Sequence, residues 1–190
     1  MRYQADQKAK AREALIKAAT KALRKSGFNG IGVDGLAGSA GVTSGAFYSN
    51  FANKEALLGE VIDANLGQPF VDPDSGTFAE RHERLKGYLK MYVSAQHCAD
   101  PENGCVMPTL SADVARSGDA VREAYRRRMR ELVGKIARAL GGKARDSRAW
   151  TIVTLMVGAV SVARALPEGA EARAILDAAL QRAIALIDER

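Results

Sequence analysis

The segment that decides the fold is Gly32–Phe51, which reads GVDGLAGSAGVTSGAFYSNF. A first set of apolar residues has the spacing of two helical turns: Val33, Leu36, Ala37 and Ala40. A second set follows Thr43 and fits one short helix: Phe47, Tyr48 and Phe51. Gly41 stands between the two sets, where a tight turn leaves no room for a bulky side chain. The pattern predicts a helix-turn-helix, whose second helix can project into a major groove of DNA.

On both sides of this segment the apolar spacing continues to favour helices. Further helices are predicted at residues 5–25, from an N-cap at Asn53, and at 78–97, 108–116, 119–140, 146–165 and 168–188. No stretch alternates in the manner of a strand, and no segment repeats. The predicted fold is all-α, with an N-terminal domain at residues 1–65, a connection rich in Pro and Gly at 66–77, and a C-terminal domain at 78–190.

Composition and charge set the broad class of the protein. The chain has 190 residues, of which 47% are apolar and 26% charged, as in ordinary globular proteins. Residues 1–50 carry eight basic and three acidic side chains, which suits a polyanionic partner, although a solvated helix face explains the same charge. Because the N-terminus lacks the pattern of a signal peptide and the longest uncharged apolar stretch is short for a membrane span, we expect a cytoplasmic protein without a membrane segment.

The order and spacing of several residues in this region resemble the TetR family of bacterial transcriptional regulators. The matching positions are Leu36-Ala37, Ala40-Gly41-Val42, Phe47-Tyr48, Phe51 and Lys54-Glu55-x-Leu57, within a resemblance that covers roughly residues 8–62. It implies a three-helix DNA-binding domain followed by a helical domain for effector binding and dimerisation. It also implies a homodimer that binds a palindromic DNA operator and represses transcription.

The resemblance assigns roles to individual residues of the predicted DNA site. Thr43 would cap the second helix of the motif, and Tyr48, Asn50 and Lys54 would contact phosphates. The residues expected to face the groove are small and uncharged: Ser44, Gly45, Ala46 and Ser49. For Tyr48 the alternative interpretation is a half-buried core aromatic. Gly35 and Gly38 lie inside the first helix of the motif, and each costs about 0.5–1 kcal/mol relative to Ala, which predicts a weak helix.

In the C-terminal half, the apolar helices predicted at 146–165 and 168–188 are expected to form the dimer interface, the alternative being an intramolecular core. A pocket for a small hydrophobic effector is expected among the helices of this half. Its candidate lining residues are aromatic, Met and His side chains: His82, Tyr88, Met91, Tyr92, Met107, Trp150 and Met156. Such residues at helical spacing are more often core, and that alternative stays open.

Cys105 is the candidate for a chemical switch. The helix predicted at 108–116 should begin near Val106, which places Cys105 at a helix N-terminus, where the helix dipole lowers the pKa of a thiol. The stretch from Gly104 to Asp113 also resembles a motif in a branch of the same family, some members of which sense electrophiles or oxidants through this cysteine. The alternative is a structural cysteine. His97, Cys98 and Cys105 lack a fourth ligand for zinc, so neither a metal nor a cofactor is predicted.

Two other functions compete with a ligand- or thiol-switched repressor. An enzyme is disfavoured because the sequence contains no phosphate loop, nucleophile elbow or His–carboxylate metal spacing. The other alternative is a helical dimer that has lost DNA binding because the first helix of the motif, which contains Gly35 and Gly38, is weak.

Overall fold

A computed structural model describes residues 2–67 and 72–189, with side chains from Gln7 onward, and confirms the all-helical prediction. Within these residues there are ten α-helices, one short 3-10 turn at Pro101–Asn103, and no strand. The α-helices are α1 (Arg2–Ser26), α2 (Val33–Ser39), α3 (Ser44–Asn50), α4 (Lys54–Asn65), α5 (Phe78–Tyr92), α6 (Ala95–Ala99), α7 (Met107–Ala115), α8 (Asp119–Leu140), α9 (Arg145–Ala165) and α10 (Ala170–Asp188).

The chain forms two compact units. The first, which we call the N-terminal unit, contains Met1–Leu66 and Cys105–Arg128, and the second, the C-terminal unit, contains Gly67–Gly104 and Met129–Arg190. This division differs from the domains predicted at 1–65 and 78–190, because α7 and the start of α8 pack with the first four helices. Their side chains bond to α1, α4 and the loop before α2 over large separations in sequence, which no local pattern encodes.

The N-terminal unit has one apolar core formed by all of its helices. Its fully buried side chains include Leu15 and Leu23 of α1, Leu36 of α2, Phe47 of α3, Leu57, Leu58 and Ile62 of α4, and Met107 and Leu110 of α7. Each fully buried Leu or Phe contributes about 1.5–3 kcal/mol of hydrophobic stabilisation. The short helices α2 and α3 therefore depend on this packing for their position, since isolated helices of this length are unstable in water.

The C-terminal unit has two features that the apolar spacing does not predict. The helix expected at 78–97 ends at Tyr92, and Ser94 starts the separate helix α6 by accepting a hydrogen bond from the backbone N–H of His97. Arg148, on α9, is buried, and its guanidinium donates to the carbonyl oxygens of Leu186, Glu189 and Gly141. One arginine thus satisfies carbonyl groups at the C-terminal ends of α8 and α10.

Helix α9 is buried on one face and open on the other. Ile152, Met156 and Val160 are buried, whereas Trp150 is 45% and Val162 is 50% exposed. Among the described residues, α9 is the one helix whose length and hydropathy would allow it to cross a membrane, and 44% of its most apolar window is buried within the protein. Core helices of soluble proteins meet the same criterion, so this finding carries no argument for a membrane.

Candidate nucleic-acid interface and thiol site

The turn between α2 and α3 has the geometry of a helix-turn-helix. Gly41 has a φ of +68°, in the left-handed region that favours glycine, and the N–H of Val42 donates back to the carbonyl of Ala37 at 3.0 Å. Thr43 then caps α3, since its hydroxyl oxygen accepts the N–H of Ala46 at 3.1 Å. Asn53 caps α4 in the same way, accepting the N–H of Ala56 at 2.8 Å. The two caps predicted from the sequence therefore lie at the starts of α3 and α4.

Helix α3 is fixed on one side and exposed on the other. Phe47 is fully buried, and its ring meets the ring of Tyr48 edge-on, with the centroids 5.3 Å apart. Tyr48 itself is 61% exposed, so the alternative interpretation of Tyr48 as a core aromatic is wrong. Gly45 and Ser49 are exposed, and Ala46 is half-buried. The residues predicted to meet DNA thus share the open side of a helix that Phe47 anchors.

Three polar side chains of α3 already have partners within the protein. The hydroxyl of Ser44 donates to a carboxylate oxygen of Asp34 at 2.5 Å, and the hydroxyl of Ser49 donates to the carbonyl of Ala46 at 2.8 Å. The amide of Asn50 donates to the same Ala46 carbonyl at 2.8 Å. Contacts of Ser44 or Asn50 with DNA would therefore exchange or share these bonds.

Lys54, which the resemblance assigns to a phosphate, has a partner inside the protein. Its ammonium donates to the carbonyl of Phe28 and lies over the Phe28 ring, 4.2 Å from the centroid. Burial lowers the pKa of Lys54, and the nearby negative charge of Asp113 opposes that shift. Lys54 thus ties the first turn of α4 to the loop before α2, and its phosphate contact stays a prediction.

Two residues of α7 hold the end of α1 through contacts that the sequence does not predict. The hydroxyl of Thr109 donates to the carbonyl of Arg24 at 3.0 Å, and the carboxylate of Asp113 accepts the N–H of Phe28 at 3.0 Å. Asp113 also forms an ion pair with Arg116 at 2.8 Å. We call Thr109 and Asp113 the α7 clasp. Both bonds span 85 residues of sequence, so no local signal could have found them.

Cys105 lies two residues before the start of α7, close to where the sequence places it. The thiol is half-buried, and its sulfur accepts the backbone N–H of Met107 at 3.4 Å, at the N-terminus of the helix. Burial lowers the pKa of Arg24, and the charge of Cys105 opposes that shift, so the guanidinium and the sulfur interact. Burial likewise raises the pKa of Tyr125, whose hydroxyl lies 2.7 Å from that of Ser111, and the charge of Cys105 adds to the rise. The sulfur therefore lies near a cation, a helix N-terminus and a phenol.

The other residues predicted for an effector site fall in two places. Tyr88 and Tyr92 are neighbours on α5, with ring centroids 5.9 Å apart, and Tyr92 is also 4.6 Å from the ring of His97. These residues belong to the C-terminal unit, as does the exposed Trp150. Met107 is buried beside Cys105 in the N-terminal unit. The structure thus groups Tyr88 with Tyr92, and Met107 with Cys105.

Comparisons with known proteins agree with this geometry. Residues 15–61 match the family model described as bacterial regulatory proteins, tetR family. Among solved structures, NemR of E. coli in its reduced form is 22% identical, with 91% of this chain and 94% of that chain covered at a TM-score of 0.75. A TetR-family regulator from Cytophaga hutchinsonii is 20% identical, with 96% and 95% covered and a TM-score of 0.75. The fatty acid degradation regulator FadR of Bacillus halodurans is 18% identical, with 95% and 97% covered and a TM-score of 0.69. Comparison with curated protein sequences gave no match.

The family model, together with a capped and outward-facing α3, defines a DNA-binding protein with a helix-turn-helix. Residues 15–61 are thus the helix-turn-helix region typical of TetR-family transcriptional regulators. The likeness to the solved structures named above, which are 18–22% identical, shows that the rest of the chain shares their fold.

Proposed function

We propose that the chain is a cytoplasmic homodimeric repressor that binds a palindromic operator through α3 and is released by modification of Cys105 or by a small effector. The observation that carries the DNA-binding part is the exposed face of α3, where Tyr48 and Ser49 project from a helix fixed by Phe47 and Thr43. This face lies within the segment that matches the family model. No enzymatic activity is part of the proposal.

The chemistry of this face sets how DNA is bound. The predicted groove residues, among them Gly45, Ala46 and Ser49, lack the guanidinium that reads guanine through two hydrogen bonds. They allow close approach of the helix backbone, contact between the Ala46 methyl and a thymine methyl, and readout of DNA shape. Tyr48, Asn50 and Lys54 would fix the register on phosphates.

The open face of α9 supports the dimer. Trp150 and Val162 expose apolar surface there, and a second copy of the chain would cover it through α9 and α10, forming a four-helix bundle. In such a dimer the two copies of α3 would meet half-sites about one helical turn of DNA apart. An effector would act by changing the separation of the two copies of α3.

The position of Cys105 supports the thiol part of the proposal. The sulfur interacts with Arg24 and with the N-terminus of α7, and α7 carries the clasp that holds the end of α1 and the N–H of Phe28. A group added to the sulfur would disturb its bond to the Met107 N–H and its interaction with Arg24. Moving α7 would loosen the clasp and, with it, the loop before α2.

Fluorescence anisotropy on the DNA directly upstream of the coding region tests both parts. Wild type, Cys105→Ser and the matched control Cys98→Ser are each measured before and after treatment with iodoacetamide. In that reaction the thiolate forms a sulfur–carbon bond, iodide leaves, and the thiol proton passes to the buffer. We expect wild type and Cys98→Ser to bind and then release after alkylation, whereas Cys105→Ser stays bound.

Other results would change the proposal in defined ways. Binding that alkylation leaves intact in wild type would remove the thiol switch and favour a small apolar effector. Absence of specific binding, there and in a genome-wide binding selection, would favour the helical dimer that has lost DNA binding.

A further inference from the structure

The helix-turn-helix has an unusual charge for a DNA-binding surface. Between Lys25 and Lys54 the sequence contains one charged side chain, the carboxylate of Asp34. Phosphates repel a carboxylate whatever the base sequence, so this charge weakens binding to DNA in general. A negative charge in this place is therefore expected to serve discrimination between sequences rather than affinity.

The structure joins this carboxylate to the recognition helix. Asp34 is the second residue of α2, and one of its carboxylate oxygens accepts the hydroxyl of Ser44, the first residue of α3, at 2.5 Å. That distance lies in the range of a hydrogen bond from a hydroxyl to an ionised carboxylate. The bond links the first turns of the two helices, and the side chain of Asp34 is exposed.

Ser44 uses a small part of the acceptor capacity of Asp34. An ionised carboxylate offers about four lone-pair directions on its two oxygens, and the Ser44 hydroxyl occupies one of them. The bond also restricts the rotation of the carboxylate, so that its other lone pairs have a defined direction beside the N-terminus of α3. This is the side of the motif where Ser44 and Gly45 are proposed to meet the major groove.

We propose that Asp34 is a specificity-determining residue, which accepts a hydrogen bond from the exocyclic amine of a cytosine, and that Ser44 positions its carboxylate. The proposal rests on the proposed function, because it requires α3 to lie in a major groove. In that groove cytosine presents its N4 amine as a donor, whereas guanine presents only acceptors and thymine an acceptor and a methyl group. Adenine also has an amine donor, but its N7 acceptor lies beside it and faces the carboxylate unfavourably.

The test is a binding selection from random-sequence duplex DNA, followed by anisotropy on single-base variants of the enriched site. It compares wild type with Asp34→Asn, Asp34→Ala and Ser44→Ala, and uses Ser39→Ala as the matched control. Ser39 is exposed on α2, the helix of Asp34, and its hydroxyl donates to the carbonyl of Gly35 in its own helix. We expect wild type to select cytosine at one position of each half-site, by about tenfold or more over other bases.

The variants have distinct expected results. Asp34→Ala loses the preference at that one position and binds unrelated DNA at least as tightly as wild type, since the repulsion is gone. Asp34→Asn keeps an acceptor for Ser44, and its preference shifts toward adenine, because an amide pairs with N6 and N7 of that base. Ser44→Ala weakens the cytosine preference, Ser44→Thr restores it, and Ser39→Ala leaves that position unchanged.

Two results would overturn the inference, and they differ from each other. If wild type enriches a motif and Asp34→Ala enriches the same motif with the same base preferences, Asp34 does not read the site, while the proposed function stands. If wild type enriches no motif at all, the proposed DNA-binding function fails and the inference falls with it. Thermal melting of Asp34→Asn at the wild-type temperature shows that a changed preference does not come from misfolding.

Discussion

Replacing Asp113 by Ala removes the acceptor of the Phe28 N–H and should destabilise the N-terminal unit. The side chain of Asp113 is only 10% exposed, and its bond to Phe28 is 3.0 Å long. Leaving a partly buried N–H without a partner costs about 1–3 kcal/mol. The ion pair with Arg116 adds less, since Arg116 is 66% exposed and exposed pairs contribute about 0–1 kcal/mol. We therefore expect a loss of about 2 kcal/mol in the free energy of unfolding.

Arg116→Ala is the matched control, because it removes the ion pair and keeps the bond to Phe28. The assay is urea unfolding followed by far-UV circular dichroism, in which a shift of the midpoint at constant slope measures the change in stability. The sequence has a single tryptophan, Trp150 in the C-terminal unit, so its fluorescence follows that unit separately. If Asp113→Ala and Arg116→Ala differ by less than about 0.5 kcal/mol, the carboxylate bond to Phe28 does not stabilise the fold and the clasp argument is refuted.

Three further predictions concern other parts of the chain. Gly38→Ala should stabilise α2 by about 0.5–1 kcal/mol, because an added Cβ has open space there, whereas Gly41→Ala should destabilise the N-terminal unit by about 1–2 kcal/mol because of its positive φ. Urea midpoints that move in the same direction for both variants would contradict this. Arg148→Met should lower the free energy of unfolding by about 2–4 kcal/mol, because its three carbonyl bonds are lost, and an unchanged thermal midpoint would show that they contribute nothing. Cys98 should react with iodoacetamide more slowly than Cys105 at neutral pH, because burial raises the pKa of Cys98 and its thiolate forms only as the pH rises toward that value. Equal labelling of the two cysteines in peptide mass spectra would refute this.

The parts of the structure that the sequence predicts depend on interactions between nearby residues. Thr43 and Asn53 each bond to an N–H three residues later, and Gly41 occupies a left-handed turn, so their roles can be read from local order. Pro108 in the first turn of a helix likewise indicates the start of α7, and hence the place of Cys105. These features are encoded within a few residues, which is the range over which a pattern in one sequence is informative.

The parts that the sequence does not predict depend on residues far apart in the chain. The spacing of apolar residues in α7 indicates an amphipathic helix but not the unit in which it packs. No nearby residue indicates that Asp113 bonds to Phe28. Lys54 matches a family position for phosphate contact, yet its ammonium bonds to Phe28, 26 residues away. The role of Asp34 has no local signal for a similar reason, because its hydrogen bond to Ser44 crosses the turn between two helices.

The weakness of α2 gives the α7 clasp its importance. Gly35 and Gly38 each cost this helix about 0.5–1 kcal/mol, so α2 holds its place through its contacts with the rest of the unit. The loop that leads into α2 is fixed at Phe28 by Asp113 on its N–H and by Lys54 on its carbonyl. A loss of about 2 kcal/mol there changes a conformational equilibrium by a factor of about 30. Cys105, the clasp and α3 belong to one compact unit. We therefore expect that a modification of Cys105 that moves α7 changes the position of α3 by breaking only the few bonds of the clasp.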